Sequence, residues 1–216
     1  MDLGRDLDER RKALESVHRK IRACTLCPLH AGRTKAVPGT GPTDAQIVFI
    51  GEAPGFYEDQ QGVPFVGAAG RFLNELLAQS GIDRERVFIT NVIKCRPPGN
   101  REPEIAEVEA CRAYLDRQLE IIRPQVIVTL GRHSMARAFP DVKVSQVHGQ
   151  PRTVVDAASG TDLVYFPMYH PAAALHQPSL RGVVEADFVL LRQVLNGELE
   201  PETYSPPPDV EQLSLF

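Results

Sequence analysis

The sequence predicts an α/β fold: a single-domain, three-layer α/β/α sandwich around a central, mostly parallel sheet. Two observations lead to this prediction. Short, continuous apolar runs recur along the chain, and such runs are typical of strands that are buried on both faces. Segments with helical spacing of their apolar residues separate these runs. An alternation of strands and helices indicates a parallel sheet covered on both sides.

The N-terminal half contains two predicted helices and two predicted strands. Apolar residues recur at helical spacing from position 7 to position 21, so a first helix should end near Ala23. The apolar run 47–50 is the first strand, and the glycine- and proline-rich segment 51–55 that follows has the composition of a turn. The stripe at 72–77 predicts a helix that Gly81 ends. Residues 87–93 form the second strand.

The C-terminal half continues the alternation. Pro103 is well placed to open a long helix, which Pro124 ends. Residues 126–130 form the third strand, and a helix follows near 134–139. Shorter strand-like runs occupy 154–155 and 163–166, and a last helix spans 180–195. The folded domain is therefore predicted over residues 1–199, with a flexible, proline-rich tail over 200–216.

Bulk composition limits the function classes. The chain has 216 residues, 43% of them apolar, which allows one domain with a buried core and excludes a disordered chain. No apolar stretch approaches the roughly 18 residues of a membrane span, and the charged N-terminal segment lacks a signal-peptide core. We expect a cytoplasmic monomer without a membrane partner. With a formal net charge of −4, any DNA-binding surface must be a local basic cluster, built from residues such as Arg33, Lys35, Lys94, Arg96, Arg101 and Arg181.

Four cysteines form the most distinctive metal-ligand pattern of the chain. Cys24 and Cys27 make a C-x2-C pair, and Cys95 and Cys111 follow much later. A disulfide framework is not expected in a chain of this length without a secretion signal. Four thiolates bind either zinc or an iron–sulfur cluster, and the wide separation of the second pair favours iron–sulfur. The alternative is that Cys111, which lies on an apolar helix stripe, is a core residue.

Three motifs follow predicted strands, where open α/β sheets bind their ligands. The first is Gly51 to Gly55 with the sequence GEAPG, followed by GVPFVG at 62–67. The second is NVIKCRPP at 91–98 with Asn100 and Arg101, and the third is YHPAAAL at 169–175. Together and in this order they resemble the motifs of family 4 uracil-DNA glycosylases, over about residues 20–196. The four cysteines match the ligands of that family's [4Fe-4S] cluster.

The resemblance implies an enzyme that flips uracil out of DNA, hydrolyses its N-glycosidic bond and leaves an abasic site. It implies that His170 stabilises the leaving uracil at O2, that Asn91 reads the Watson–Crick edge, and that Phe65 stacks on the base. Considered without the motifs, a histidine at a strand end is more often a capping residue, and Phe65 would be assigned to the core.

The water-positioning group is less clearly implied. The best-studied glycosylase family carries an aspartate where Ala53 stands, in the part of the pocket that contacts uracil. The resemblance offers Glu52 and Asn100 as catalytic alternatives. It also suggests that Glu58, with Asp59, lines the pocket near uracil C5 and excludes thymine.

DNA and protein partners are implied by further residues. Leu175 is expected to enter the space that the flipped base leaves, while Ser179 and Arg181 hold a flanking phosphate. The chain ends in a peptide that resembles the segment with which bacterial DNA enzymes bind the sliding clamp, through Gln212, Leu213, Leu215 and Phe216. The alternative is that this peptide folds back onto its own domain.

Two other functions remain open at this point. A related group binds uracil and becomes covalently trapped on DNA, but it carries a glutamine at the position of Ala53 and an extra basic, histidine-bearing loop, and neither is present. A non-catalytic DNA-binding module is the second alternative. The presence together of Glu52, Phe65, Asn91 and His170 argues against it.

Overall fold

The central sheet follows the predicted topology. The computed structural model describes residues 3–140, 142–155 and 162–204, and within these ranges six strands form one sheet. The strands are β1 (Ile47–Gly51), β2 (Val87–Asn91), β3 (Val126–Leu130), β4 (Arg152–Val155), β5 (Asp162–Met168) and β6 (Glu202–Thr203). Their spatial order is β2-β1-β3-β5-β4-β6. β1, β2, β3 and β5 run parallel, and β4 is antiparallel to β5. The mostly parallel sheet is confirmed.

Helices cover both faces of this sheet. In the described ranges they are α1 (Leu3–Ala23), α2 (Leu29–Gly32), α3 (Phe56–Gln61), α4 (Ala68–Gln79), α5 (Ile105–Ile122), α6 (Arg132–Met135), α7 (Val144–Val147), α8 (Pro171–His176) and α9 (Arg181–Leu195). One core joins α1 and α5 to one face of the sheet, and a second core joins α4 and α9 to the other. The three-layer arrangement is therefore confirmed.

Alternation within the strands explains the two cores. All five residues of β1 are buried. Val48 and Ile50 belong to the core with α1 and α5, whereas Ile47 and Phe49 belong to the core with α4 and α9. The Phe49 ring lies parallel to that of Phe188, at 6.1 Å between centroids. Full burial of each such side chain contributes roughly 1.5–3 kcal/mol, so a run that is apolar at every position can hold both layers.

Several boundaries differ from the sequence-based expectation. β2 ends at Asn91 rather than at Ile93. The helix expected from Pro103 starts at Ile105, because the Glu104 and Glu107 side chains form a capping box there. The helix expected near 134–139 is the short α6, which begins at Arg132.

Residues 202–204, which fall in the predicted tail, contact the folded domain. Glu202 and Thr203 pair with β4 as the edge strand β6, and the Tyr204 ring meets the Phe139 ring edge-on at 4.8 Å. An edge strand of two polar residues carries no hydrophobic pattern, so periodicity could not reveal it. Residues 205–216, including the four expected clamp-binding residues, lie outside the described residues. In the described part of the chain, no helix is long and apolar enough to cross a membrane.

Candidate active site

A cleft of about 690 Å³ opens at the carboxyl ends of β1, β2 and β5. This volume is within the range of small-molecule binding sites. Its walls come from the segments that follow these strands, as expected for an open parallel sheet. The lining residues include Glu52, Ala53, Gly55, Glu58, Phe65, Asn91, Pro97, Asn100, Arg101, Glu102, His170 and His176. All seven residues predicted for catalysis or uracil binding therefore line one cleft.

Gly51 allows two of these side chains to meet. It pairs with Asn91 in the sheet register. A Cβ atom on Gly51 would lie 2.4 Å from Asn91 Oδ1 and 2.8 Å from the Phe65 ring. Both distances are shorter than real Cβ contacts, so only glycine lets the amide and the ring approach each other across the floor of the cleft.

Asn91 carries the most informative atom of the cleft. Its side chain is buried, and its Oδ1 has no hydrogen-bond partner within the described residues. A buried carbonyl oxygen without a donor costs about 1–3 kcal/mol, and such atoms in native proteins call for a specific reason. Since Asn91 lines a cleft of ligand size, the arrangement suits a ligand that carries an N–H donor.

A strained loop presents Phe65. Its φ of 54° lies in the left-handed region, which is costly for a bulky residue. Two contacts hold it there. Glu58 Oε1 accepts hydrogen bonds from the backbone N–H groups of Val66 (2.9 Å) and Gly67 (2.8 Å). A Cβ atom on Gly70 would lie 1.8 Å from the Phe65 carbonyl oxygen, so α4 can approach the loop only at a glycine.

The two acidic residues of α3, Glu58 and Asp59, have different roles. Glu58 lines the cleft as predicted, but its carboxylate is engaged by the loop backbone. Asp59 is buried and accepts two hydrogen bonds from the Thr34 backbone N–H, at 2.9 and 3.1 Å. The expectation that Asp59 faces the pocket is wrong, because the helical turn directs consecutive side chains to different sides.

His170 lies where a strand end meets a helix start. It is the N-cap of α8, and its Nδ1 accepts a hydrogen bond from the Ala172 N–H at 3.1 Å. Its ring stacks against that of Phe65, with 5.5 Å between centroids. Burial lowers the pKa of His170 to about 4. The ring is therefore neutral near pH 7, and because Nδ1 accepts, its proton is on Nε2.

The two water-positioning candidates have different surroundings. Glu52 is half-buried, and its Oε2 lies 3.7 Å from His133 Nε2. Burial raises the pKa of Glu52, and His133 opposes this shift. Asn100 is exposed, with a φ of 55°, and its Oδ1 accepts a 2.7 Å hydrogen bond from Arg96 Nε. Glu52 is thus the group whose protonation is tuned by its environment.

The residues predicted to contact DNA lie on α8, in the segment that follows it and at the start of α9. Leu175 on α8 is exposed, as an intruding side chain requires. The Ser179 hydroxyl accepts a hydrogen bond from Gln177 Nε2. Arg181 stacks over the Phe72 ring and pairs with Glu185 (3.0 Å) and Glu75 (3.4 Å). Its charge is therefore partly neutralised within the chain.

One predicted basic residue does not face DNA. Lys94 is fully buried, and its Nζ donates to Thr90 Oγ1 at 2.7 Å and to the Asn91 carbonyl oxygen at 2.8 Å. Residue type alone suggested a surface charge, whereas the fold places this ammonium behind the floor of the cleft. Arg101 also has partners within the chain, because its guanidinium donates to both carboxylate oxygens of the buried Glu107.

The four cysteines line one cavity at the end of α1. Cys24, Cys27, Cys95 and Cys111 share it with Arg33, Lys94 and Tyr114. All four are free, so no disulfide forms. Arg33 Nη1 donates to Cys95 Sγ at 3.2 Å, and burial raises the pKa of Cys111 to about 11. A buried thiol of this kind becomes a thiolate when a metal centre takes the place of its proton.

One residue, Lys94, connects the cysteine cavity to the cleft. Lys94 lines the cavity and also holds the Asn91 carbonyl oxygen. In the described chain, no three histidine, cysteine or acidic side chains converge closely enough to hold a single metal ion. Cys111 lines the cavity with the other three cysteines and is also part of the hydrophobic core with α1 and α5.

The sequence singled out residues 131–133 by their position after the third predicted strand, but it gave no role to His133 or to Glu102. Glu102 lines the cleft, and His133 lies 4.0 Å from its Oε2 as well as near Glu52. Arg132 forms an ion pair with Glu102. The available signal was position: residues 131–133 directly follow β3 at the ligand-binding edge of the sheet.

Comparison with known proteins agrees with this site. The model of the Uracil DNA glycosylase superfamily matches residues 38–192. A type-4 uracil-DNA glycosylase of Sulfurisphaera tokodaii is 45% identical over 89% of this chain and 88% of its own length. Those of Archaeoglobus fulgidus and Thermotoga maritima are 46% and 44% identical, over 89% and 88% of this chain and 98% of each relative. The chain belongs to the uracil-DNA glycosylase superfamily and, within it, to the type-4 group.

Proposed function

We propose that this protein is a DNA-repair enzyme that hydrolyses the N-glycosidic bond of uracil in DNA and leaves an abasic site. The activity for which its relatives are named supports this proposal. The single observation that carries it here is the unpartnered Asn91 Oδ1, buried in a cleft with the rings of Phe65 and His170. Because a base inside a duplex cannot reach such a cleft, the nucleotide must flip out of the stack, at a cost of a few kcal/mol.

Asn91 would select the base. Its Oδ1 accepts from uracil N3–H, and its amide N–H group donates to O4. Cytosine presents an acceptor at N3 and a donor at its exocyclic amine, so both contacts become repulsive. Phe65 would stack on the flipped base, which is worth about 1–3 kcal/mol. Glu58 would support thymine exclusion indirectly, by holding the Phe65 loop in place.

His170 would stabilise the departing base. In the transition state positive charge builds on the sugar and negative charge on uracil. A neutral imidazole with its proton on Nε2 donates to uracil O2, and the Ala172 N–H on Nδ1 keeps that tautomer. This neutral donor stabilises the developing anion.

Glu52 would position the water and accept its proton. We expect the single-turnover rate to have an acid limb set by Glu52. The carboxylate is the active form, and burial raises its pKa above the usual value. The rate should therefore fall as pH drops through that raised pKa. Glu52→Gln should remove the limb and lower the rate by about 10²-fold or more.

A matched variant sharpens this test. The negative charge of Glu102 raises the pKa of Glu52, so Glu102→Gln should keep the acid limb but move its midpoint to lower pH. The measurement is the single-turnover rate from pH 4 to pH 8. An unaltered profile in Glu52→Gln would exclude this role and leave Asn100 as the remaining candidate.

DNA would lie across the rim of the cleft. Leu175 would fill the space that the flipped base leaves, and the exposure of its side chain supports this role. Ser179 and Arg181 would bind a flanking phosphate, which requires Arg181 to exchange Glu75 or Glu185 for that phosphate.

The four cysteines would hold a [4Fe-4S] cluster. A cubane takes one thiolate at each iron, so its ligands surround a volume rather than meet at one point. This fits four cysteines that line one cavity, while no three acidic, histidine or cysteine side chains in the described residues converge on a single ion. All four positions would be filled by protein, so the cluster would stabilise the fold by joining the end of α1 to α5 and to the segment that follows β2.

The C-terminal peptide would bind the bacterial sliding clamp through Gln212, Leu213, Leu215 and Phe216, which lie outside the described residues. A peptide in an extended tail can place two apolar side chains in a pocket and keep the enzyme near replicated DNA. We expect deletion of residues 212–216 to leave excision from short oligonucleotides unchanged and to abolish binding to a purified clamp. Equal clamp binding by the truncated chain would refute this, and a large loss of stability would support a peptide folded onto its own domain.

A gel assay on an oligonucleotide with one uracil separates the three candidate functions. Turnover gives an abasic product, covalent trapping gives a shifted protein–DNA band, and a binding module gives neither. We expect free abasic product.

A further inference from the structure

Exposed aromatic side chains are concentrated at one place on the surface. The large apolar side chains that are exposed in the described residues are Leu26, Phe56, Tyr57, Val63, Ile105, Leu175 and Val189. Only Phe56 and Tyr57 among these are aromatic, and they are 50% and 59% exposed. They are consecutive, and their rings meet edge-on with 5.4 Å between centroids. Paired aromatic rings left in water indicate a binding surface rather than a core.

This aromatic pair adjoins the mouth of the cleft. Phe56 opens α3 directly after Gly55, and both Gly55 and Glu58 line the cleft. A Cβ atom on Gly67 would lie 3.6 Å from Tyr57 Cδ2, so the Tyr57 ring lies beside the loop that presents Phe65. The pair therefore continues the surface on which Phe65 would stack the flipped base.

Arg96 connects the aromatic pair to the opposite wall. Its guanidinium carbon lies 5.1 Å from the centroid of the Phe56 ring, and its Nε donates to Asn100 Oδ1 at 2.7 Å. None of the ion pairs found in the described residues includes Arg96, unlike Arg101 and Arg181. Its charge remains for an anionic group that lies next to the rings.

Aromatic faces beside an unneutralised guanidinium suit single-stranded nucleic acid. Bases of every type stack on such rings, and the cation attracts the adjoining phosphate. In a duplex, the neighbouring base stays paired to the other strand and stacked on the next base pair, and Leu175 would fill the gap on its other side. Only an unpaired or frayed neighbour can therefore reach the rings. A protein partner would explain the apolar surface but not its continuity with a nucleotide cleft.

We propose that Phe56 and Tyr57, together with Arg96, form a stacking platform for the unpaired base next to the uracil. This inference rests on the proposed function, because it places the target base in the cleft. The platform would increase affinity for single strands and for frayed sites, with little dependence on the identity of the neighbouring base.

The test is a double-mutant cycle of binding affinities, in which one change is made in the protein and the other in the DNA. The probe is a single-stranded oligonucleotide with one 2′-fluoro-2′-deoxyuridine, in which the fluorine disfavours the positively charged sugar and the base stays attached. A second probe replaces one neighbouring nucleoside by an abasic spacer, on the 5′ or the 3′ side. On one side, Phe56→Ala and the spacer should each weaken binding about tenfold. The two changes together should weaken it no further, since they remove the same contact.

Further variants and a duplex separate the contributions. Phe56→Leu keeps the apolar bulk but loses the aromatic face, so it should bind as weakly as Phe56→Ala. Val189→Ala alters a similarly exposed apolar residue on α9 that does not line the cleft, and it should bind as the unaltered chain does. In the corresponding duplex, the effect of Phe56→Ala should be smaller.

Full additivity on both sides of the uracil, or an equal effect in the duplex, would overturn the platform. The proposed function is tested separately with ordinary deoxyuridine. If the unaltered chain released no uracil, that function would fail, while the binding cycle would still show whether Phe56 contacts a neighbouring base.

Discussion

His170→Ala is expected to lower the single-turnover rate of uracil release by about 10²–10³-fold, with little change in the affinity for uracil-containing DNA. The reason is that, in the proposed mechanism, the Nε2 proton contacts uracil O2, whose negative charge develops only as the bond breaks. Because burial lowers the pKa of His170 to about 4, the ring stays neutral above that pH. The rate should show no titration of this histidine between pH 5 and pH 8.

A second variant separates chemistry from folding. His170 also caps α8 through Nδ1, and loss of an N-cap typically costs about 1 kcal/mol. Asparagine is a good N-cap, so His170→Asn should retain most of the stability but lose the rate as alanine does. An unchanged rate under saturating enzyme in either variant would exclude His170 as the leaving-group donor.

Cys111→Ser is expected to have the largest effect on the fold. The unaltered chain should be brown and contain about four irons, and the variant should lose most of that iron and colour. Cys111 lies on α5, and the cavity that it lines joins α5 to the end of α1. Loss of a metal centre is among the few changes that cost more than about 4 kcal/mol, so we expect such a decrease in the free energy of unfolding.

The control introduces a buried hydroxyl away from the cysteines. Ala138 belongs to the same core and is buried, so Ala138→Ser should lower stability while leaving the iron content unchanged. A colourless protein with one zinc, or a Cys111→Ser variant with four irons, would contradict the cluster.

The inner strands of the sheet could be predicted from the sequence because burial on both faces requires continuous apolar runs, and β1 and β3 have them. Elements that depend on hydrogen bonds rather than on apolar burial have no such pattern in the sequence. β6 is a polar edge strand, and α7 is a single turn at whose start the Lys143 N–H donates to Gln146 Oε1. Their stability depends on hydrogen bonds that residue type alone does not reveal.

The site was predictable in position more than in detail. Motif residues such as Asn91 and His170 do line one cleft. The hydrogen-bond and ion-pair partners of the surrounding residues were not predictable, because these partners come from distant segments of the chain. Arg181 pairs with Glu75, 106 positions away. Glu58 accepts hydrogen bonds from backbone N–H groups, which every residue type except proline carries. The sequence therefore could not reveal that Glu58 binds the Phe65 loop.

Release of free uracil is the most direct measurement. Oligonucleotides that contain one uracil, one cytosine or one thymine at the same site are incubated with excess protein, and the free base is quantified by mass. Asn91→Asp is assayed alongside, since it replaces the amide N–H group that we propose donates to uracil O4. We expect one equivalent of free uracil from the unaltered chain, no cytosine or thymine, and a large loss of uracil release in Asn91→Asp. An absence of free uracil, or release of cytosine at a comparable rate, would contradict excision of uracil by this cleft.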